Sequence, residues 1–423
     1  MTAAAPSMPE VAAAAAAARV ELSGRVLAAT LRSVRDLDIA EESTADAFVQ
    51  ALVSWPRSGI PESVEAWLVT AARRRAVDRV RRAQVARRAL VTLAGGWSAV
   101  EGPEALVAEA AVVGDDELRM VVLCCDPRLT EPDRVALTLR LACGVSTAAI
   151  AAAHGVPTPT MAARLTRAKA RLAAAGPALD LPDDATVDAR LPAVARVVHL
   201  AFTVGHTATA GPALVDDVLA DHAQYLASVL HRLRPRVPAF AGLLALVQLT
   251  RARAGGRFGS DGGQVLLADA DRGRWDRALV DRGLTLAAAA LAQDAGDPYV
   301  LQAAIAAAHA VAPTFADTDW AAVVSLYSRL LAVDPSPGFA LGRSVALSWL
   351  QGPAAGLADL DELLSLGVLA RSPYAAAARG DLLDRLGRAA DAAREWRRAA
   401  ELARTDAERD WFGARAGGSG SRP

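Results

Sequence analysis

Ser146-Thr147-Ala148-Ala149-Ile150-Ala151-Ala152-Ala153-His154-Gly155-Val156-Pro157-Thr158-Pro159-Thr160-Met161-Ala162-Ala163-Arg164-Leu165-Thr166-Arg167-Ala168-Lys169-Ala170-Arg171-Leu172 holds two helices and the turn between them. Ser146 is placed to cap the first, Thr147 to about His154, by accepting a bond from a free backbone N–H. Gly155 supplies the turn. Thr158 is expected to cap the second, with Pro159 at its first position, where a missing N–H costs nothing. Met161, Leu165, Ala168 and Leu172 recur at three- and four-residue spacing and form an inner stripe. Thr160, Arg164, Arg167 and Arg171 fall on the other side, and Lys169 adds a fourth cation to a stretch from Thr158 to Arg171 that has no acid. A further helix, about Asp133 to Ala142, precedes the pair and ends near Gly144. A short helix, a glycine turn and a basic helix are the parts of a helix-turn-helix, whose second helix enters the major groove. Arginine there bonds guanine bidentately, and threonine reaches base edges or phosphate.

Outward from this stretch the chain reads as helix throughout. Of 423 residues 53% are hydrophobic and only 4% aromatic. Alanine carries much of the hydrophobic share, so helix formers outnumber the β-branched and aromatic strand formers. The fold class expected is all-α. The net charge of -1 gives no sign of nucleic-acid binding, but its distribution does. Arg73, Arg74, Arg75, Arg79, Arg81, Arg82, Arg87 and Arg88 face one acid, Asp78, between residues 73 and 88. Two basic helices in a neutral chain point to two local contacts with phosphate. The first is expected from about Glu62 to Arg82, with Val69, Ala72, Ala76 and Val80 as its buried stripe. A loop at Trp55-Pro56-Arg57-Ser58-Gly59-Ile60-Pro61 is expected to precede it.

The order of parts adds a family. Ala66-Trp67-Leu68-Val69-Thr70-Ala71-Ala72-Arg73-Arg74-Arg75-Ala76-Val77-Asp78-Arg79-Val80-Arg81-Arg82 resembles region 2 of the extracytoplasmic-function (ECF) sigma factors. Asp46-Ala47-Phe48-Val49-Gln50-Ala51-Leu52 is similar to the end of that family's preceding helix. Leu137-Thr138-Leu139-Arg140-Leu141 through Leu172 resembles region 4. The resemblance implies a fold of a helical region 2 domain and a helix-turn-helix region 4 domain. It implies core RNA polymerase and promoter DNA as partners. Region 2 docks on the polymerase and holds the melted −10 strand, and region 4 reads the −35 duplex and touches the polymerase flap. Carried onto this chain, the −10 contacts are Trp55, Arg73, Arg74, Arg75, Arg79, Arg81 and Arg82. The loop Trp55 to Ser63 resembles the one that cups a flipped base, and Trp67 is assigned to the core. The −35 contacts are Thr158, Thr160, Arg164, Arg167, Lys169 and Arg171. Glu41, Glu42, Asp46 and Phe48 are the polymerase contacts, although the run Glu41-Glu42-Ser43-Thr44-Ala45-Asp46 keeps only part of the family's acidic stretch and lacks its Gln-Glu pair.

The chain continues well past region 4. Asp261-Gly262-Gly263, a hairpin-like turn, and Leu266 through Asp276 resemble the ECF subgroup with a tetratricopeptide-like C-terminal extension. Thr203-Val204-Gly205-His206 stands where that subgroup has an Asn-Glu-Gly-Tyr-like segment. Gly380, Gly387, Ala392, Trp396 and Ala399 have tetratricopeptide spacing. Trp320, Tyr327 and Trp349 are expected in the core of looser pairs. Such repeats present a concave face to a protein or peptide ligand. The expected domains are region 2 (13–84), a linker (85–114), region 4 (115–175), a helical extension domain (185–288) and helical repeats (289–410). No enzyme motif is present: there is no phosphate-binding glycine loop and no GxSxG. Three cysteines, Cys124, Cys125 and Cys143, read as buried small hydrophobes, and no metal or cofactor is expected. Asp269, Asp271 and Asp276, set among arginines, read as caps or salt bridges. No run is long and apolar enough for a membrane span, and the cytoplasm is the expected location. A helix-turn-helix regulator with a repeat sensor domain, acting without polymerase, is the alternative reading.

Overall fold

The computed structural model describes residues 6–93, 113–154, 156–174, 182–206, 217–257, 265–403 and 405–418. Among these every regular element is a helix, as composition requires. They form two compact units, Met1–Ala201 and Phe202–Pro423.

The first unit begins with α1 (Met8–Val34), α2 (Leu37–Ser58) and α3 (Val64–Leu93). Ser7 and Glu10 close a capping box at the start of α1. Arg35, at φ 53, ends it, and Asp36 caps α2 by accepting from Ile39 N at 2.9 Å. The three helices bury one cluster that includes Val11, Val26, Phe48, Ala51, Trp55, Leu68 and Ala72. Two expectations are corrected here. Helix α2 does not break at Trp55 but runs through Pro56 to Ser58. Pro56 sits in the last turn, where its missing N–H removes a single ladder bond, and Gly59 at φ 82 then stops the helix. Helix α3 continues past Arg82 to Leu93, into the stretch expected as a linker.

Four further helices, α4 (Val113–Cys124), α5 (Glu131–Leu137), α6 (Thr147–Ala153) and α7 (Thr158–Ala173), complete the helix-turn-helix part. Helix α5 passes directly into a π-helical turn, Thr138–Ala142. The cysteines are all buried there. Burial pushes the Cys125 thiol up to about 12 and Cys124 well above its ordinary value, so neither is a reactive thiolate. Helix α8 (Asp184–His206) ties its first half to the same unit. Arg190 bonds buried Asp126 at 3.1 Å, and Arg196 bonds Glu131 at 2.6 Å. The boundary expected at Asp180–Asp184 therefore moves into α8, between Ala201 and Phe202.

The second unit is a succession of helices. They are α9 (Asp217–Leu233), α10 (Pro238–Ala252), α11 (Arg277–Gln293), α12 (Pro298–Val311), α13 (Trp320–Val333), α14 (Pro337–Leu350), α15 (Pro353–Ser365), α16 (Pro373–Arg385), α17 (Ala389–Leu402) and α18 (Asp406–Ala416), each packed on the next. Small residues set the approach. A Cβ at Gly380 would lie 3.0 Å from the Trp396 ring, so α17 closes on α16 only because that position is bare. Ala392, Trp396 and Ala399 are buried as the repeat spacing requires. Asp271 and Asp276 are caps, accepting from Gly273 N at 2.8 Å and Leu279 N at 3.0 Å. The turn Asp261-Gly262-Gly263 lies outside the described residues. Trp320 and Tyr327 pack against a buried cluster as expected, but they and Trp349 are each partly exposed and line a cavity.

Candidate nucleic-acid interface

Helix α7 has the two faces its sequence encodes. Met161, Leu165, Ala168 and Leu172 are buried. Pro157 occupies the cap position, so Thr158 is the first helical residue and not the cap, with Pro159 second. Ser146 caps α6 as expected, accepting from Ala149 N at 3.1 Å. Thr158, Thr160 and Arg167 are exposed, and Arg167 has no ion pair among the described residues. The other cations are engaged. Arg171 bonds Asp133 at 2.8 Å and Arg164 approaches the same carboxylate at 3.9 Å. Lys169 bonds Asp38 and, at 3.2 Å, Glu41, both on α2. Burial pulls the Lys169 ammonium down, but the Asp38 hydrogen bond and the two carboxylates outweigh it and leave the group raised and charged.

The arginines of α3 divide in the same way. Arg79 bonds Glu42 at 2.6 Å and Asp46 at 2.8 Å, and the Asp46 bond holds its guanidinium above the ordinary value. Arg75 donates to Gln50 at 3.2 Å and lies 3.6 Å from Asp46. Arg73 donates to the Ala29 carbonyl at 3.3 Å. Arg74, Arg81 and Arg82 are exposed or half-buried, with no ion pair among the described residues. Arg74, Arg75 and Arg82 line a concavity of about 720 Å³ together with Trp67, Thr70 and Pro61.

Of the two tryptophans, Trp55 is not where expected, while Trp67 packs against the core as expected and also keeps an open side. Trp55 is fully buried. It meets Trp67 edge-on at 5.4 Å, so its ring has no face for an unpaired base. Trp67 is not sealed in the core and is the aromatic wall of the arginine-lined concavity. The signal was present in the sequence: Phe48, Ala51 and Trp55 continue one helical stripe, and reading a loop at Pro56 concealed it. Phe48 is likewise 8% exposed, a core residue with little surface for a docking contact.

The acids expected to meet polymerase are engaged by this chain's own cations, Glu42 while it stays exposed. Glu42 and Asp46 hold Arg79, and Glu41 bonds Arg140 of the π-helical turn at 2.7 Å as well as Lys169. Arg19 of α1 donates to the Gly144 carbonyl at 3.1 Å. Burial, then Arg140, lowers the Arg19 guanidinium. The backbones come close because Gly24 is bare: a Cβ there would sit 2.6 Å from the Ala142 carbonyl oxygen. These contacts make a clasp between the first three helices and the helix-turn-helix. A π-helical turn inside an α-helix, as at Thr138–Ala142, is often found at a functional site, and here it aims Arg140 into the clasp.

Comparison with known proteins follows the same division. Residues 20–85 match the family described as sigma-70 region 2, and residues 119–172 the one described as sigma-70, region 4. Residues 190–291 match a family of unknown function, DUF6596. Over 394 residues the chain is 38% identical to an uncharacterized protein, R00370, of Rhizobium meliloti (strain 1021), and the match covers 92% of each. Over 119 residues it is 32% identical to the ECF RNA polymerase sigma factor SigK of Mycobacterium tuberculosis (strain ATCC 25618 / H37Rv), covering 27% of this chain and 60% of that one. Among solved structures, TTC0263, a thermophilic TPR protein of Thermus thermophilus, is similar with 19% identity and a TM-score of 0.35 over 47% of this chain and 90% of its own.

Proposed function

We propose, from the premise that the chain belongs to the ECF group of the sigma-70 family and carries a helical-repeat C-terminal extension, that it directs core RNA polymerase to specific promoters and that its second unit regulates this step. The observation that carries the reading is the matched order of region 2 and region 4 on the two helices that present unpaired arginines, α3 and α7. In this reading Arg74, Arg81 and Arg82 follow the phosphates of an opening duplex, a salt-dependent attraction. Trp67 offers a ring face to an unstacked base at the edge of the concavity. The exposed start of α7 enters the major groove, where Arg167 bonds guanine and Thr158 and Thr160 contact phosphate or base edges.

The clasp sets a condition on that work. The −10 and −35 elements lie about 25 base pairs apart, or roughly 85 Å of B-DNA at about 3.4 Å per pair. Region 2 and region 4 joined by direct hydrogen bonds from Arg140 and Lys169 to Glu41 cannot span that distance. The clasp therefore opens when core polymerase engages both regions, and Glu41 becomes available to the polymerase only as Arg140 and Lys169 leave. Free protein is expected to bind promoter duplex weakly.

Run-off transcription with purified core polymerase, on the upstream region of the protein's own operon, tests the reading. Core plus this protein is expected to make a discrete transcript that core alone does not. No transcript together with no binding to core would overturn the proposal in favour of a free helix-turn-helix regulator.

A further inference from the structure

The second unit contains a cavity of about 390 Å³, within the range of small-molecule sites. Its walls are aromatic. Trp320 and Trp349 stack at 5.9 Å with 22° between their planes, and Phe315 meets both edge-on at 5.0 and 4.9 Å. His309 and Tyr327 complete this end, and the ring of His309 lies 5.4 Å from Trp320. Large aromatic surfaces left around open space are costly in a soluble unit, and a helical repeat fills such space readily with leucine.

The polar groups at this end lack partners. His309 Nδ1 is buried with no hydrogen bond among the described residues. Behind it, Arg272 gives Nη1 to the carbonyls of His309 and, at 2.7 Å, Ala312, while its Nη2 is buried and unpaired. Arg253 stands near enough to act electrostatically on His309 and Tyr327, and among the described residues its guanidinium has no hydrogen bond or ion pair. Burial, and then Arg253 and Arg272, push His309 down to about 4, so the imidazole is neutral. Burial, with Arg257 and Arg272 nearby, brings Arg253 down to about 10. The carboxylate acting on this group is Asp317, which reaches Arg272 only across space and bonds Thr314 at 2.7 Å. At the far end Asp381 is neutralised by Arg385 at 3.6 Å, whose guanidinium lies 4.0 Å over the Trp349 ring. Among the described residues no carboxylate bonds Arg253 or Arg272, and positive charge beside the unpaired Arg272 Nη2 marks a site for a negative group.

We infer that this cavity is a binding site for a small planar aromatic or apolar molecule bearing one acidic group, its rings between Phe315, Trp320 and Trp349 and its anion at the Arg253, Arg272 and His309 end. A carboxylate, sulfonate or phosphate offers an acceptor to the unpaired Arg272 Nη2 and a counter-charge to Arg253, and a cation of the same shape is repelled there. Tyr327 sits where the rings and the anion meet, admitted by Gly342, where a Cβ would lie 2.7 Å from the phenol oxygen.

Titration of the full-length protein with two fluorescent probes of one framework tests this: 8-anilinonaphthalene-1-sulfonate, an anion, and N-phenyl-1-naphthylamine, which is neutral. The sulfonate is expected to saturate one site per chain with energy transfer from tryptophan, at least tenfold tighter than the amine. Arg253→Gln is expected to weaken the sulfonate about tenfold and the amine less than twofold. Val345→Trp, at the cavity wall, is expected to abolish both while the circular dichroism spectrum is unchanged. Equal affinities for the two probes, an Arg253→Gln variant indistinguishable from the parent, or a folded Val345→Trp that binds normally would each overturn the assignment. If Val345→Trp does not fold, the smaller filling change Ala346→Leu gives the same reading.

Discussion

The two basic helices of the first unit look alike in composition and differ in what holds their charge. On α3 the engaged arginines find their partners inside region 2: Arg79 on Glu42 and Asp46, Arg75 on Gln50, Arg73 on the Ala29 carbonyl. On α7 the engaged cations reach in two directions, Arg171 and Arg164 to Asp133 of their own domain and Lys169 to Asp38 and Glu41 of the other. Charge count alone therefore overstates the surface open to phosphate on both helices. It also hides that only α7 is restrained by something that has to move apart. Arg74, Arg81 and Arg82 are available in the closed protein. The start of α7 is exposed, but its domain is held against region 2.

The largest contrast lies within α7 itself. Arg167→Ala is expected to weaken use of the −35 element by about 1–3 kcal/mol, the value of a lost bidentate base contact, with little change in melting temperature. Arg171→Ala is expected to do the reverse, because its partner Asp133 is a buried carboxylate that would lose its hydrogen bond. Promoter binding by the holoenzyme on wild-type and −35-mutated templates, alongside thermal melts, reads both. If the two variants exchange behaviour, the division of α7 into free and engaged cations is wrong.

Acid is expected to act on the region 4 side. Hydrogen bonds from Arg128 hold Asp126 down to about 2 against the burial that would raise it, and Arg190 of α8 adds to them. A carboxylate with a depressed folded-state pKa stabilises fully above its unfolded value near 4 and loses that contribution as pH falls from about 4 to 2. The contribution is roughly 2 kcal/mol, and Asp126→Asn removes its pH dependence. Denaturant melts of the full chain between pH 5 and 2 check the window. A parent and variant that lose stability in parallel would show that Asp126 is not the group responsible.

A smaller effect separates the free from the engaged arginines of α3. Each of Arg74→Ala, Arg81→Ala and Arg82→Ala is expected to lower the slope of log affinity against log salt by about 0.7–0.9 for promoter binding by the holoenzyme. Arg79→Ala is expected to leave that slope nearly unchanged, because its charge is already met by Glu42 and Asp46. Equal slopes for all four variants would mean that the Arg79 pairs dissolve on DNA.

What the sequence made legible was local. The Ser146 cap, the helix end near Gly144 and the stripe Met161, Leu165, Ala168, Leu172 are each decided within a few residues and stand where spacing put them, whereas the cap expected at Thr158 falls on Pro157. The repeat pair around Trp396 was legible for the same reason: Gly380 and Trp396 interlock at short range. The clasp was not, because Lys169 and Asp38 are 131 residues apart and no periodicity links them. The place of Trp55 turned on one proline. Pro56 was read as a break, but a proline in the last turn of a helix forfeits one bond and leaves the preceding stripe intact. The cavity was missed because large aromatics at helical spacing have the same pattern whether they fill a core or surround a space. Only the positions of Phe315 and Trp349 on separate parts of the chain decide it.

The smallest effect is the most informative about the closed state. Asp38 is 70% exposed, so its bond to Lys169 is a surface ion pair worth about 0.2–1 kcal/mol. Glu41 is 17% exposed and serves both Arg140 and Lys169. The pair Asp38→Asn and Glu41→Gln together is therefore expected to loosen the clasp by only about one or two kcal/mol, without touching the free residues of α7. In the absence of polymerase this should raise affinity for −35 duplex several-fold. With core polymerase present the gain should disappear, because the polymerase has already separated the regions. If Glu41 is instead needed at the polymerase surface, the same variant shows tighter DNA binding alone and weaker transcription with core, a split that restraint of α7 alone does not produce. Equal duplex affinity for parent and variant would mean that the start of α7 is limited by its own chemistry and that the clasp has no part in setting DNA binding.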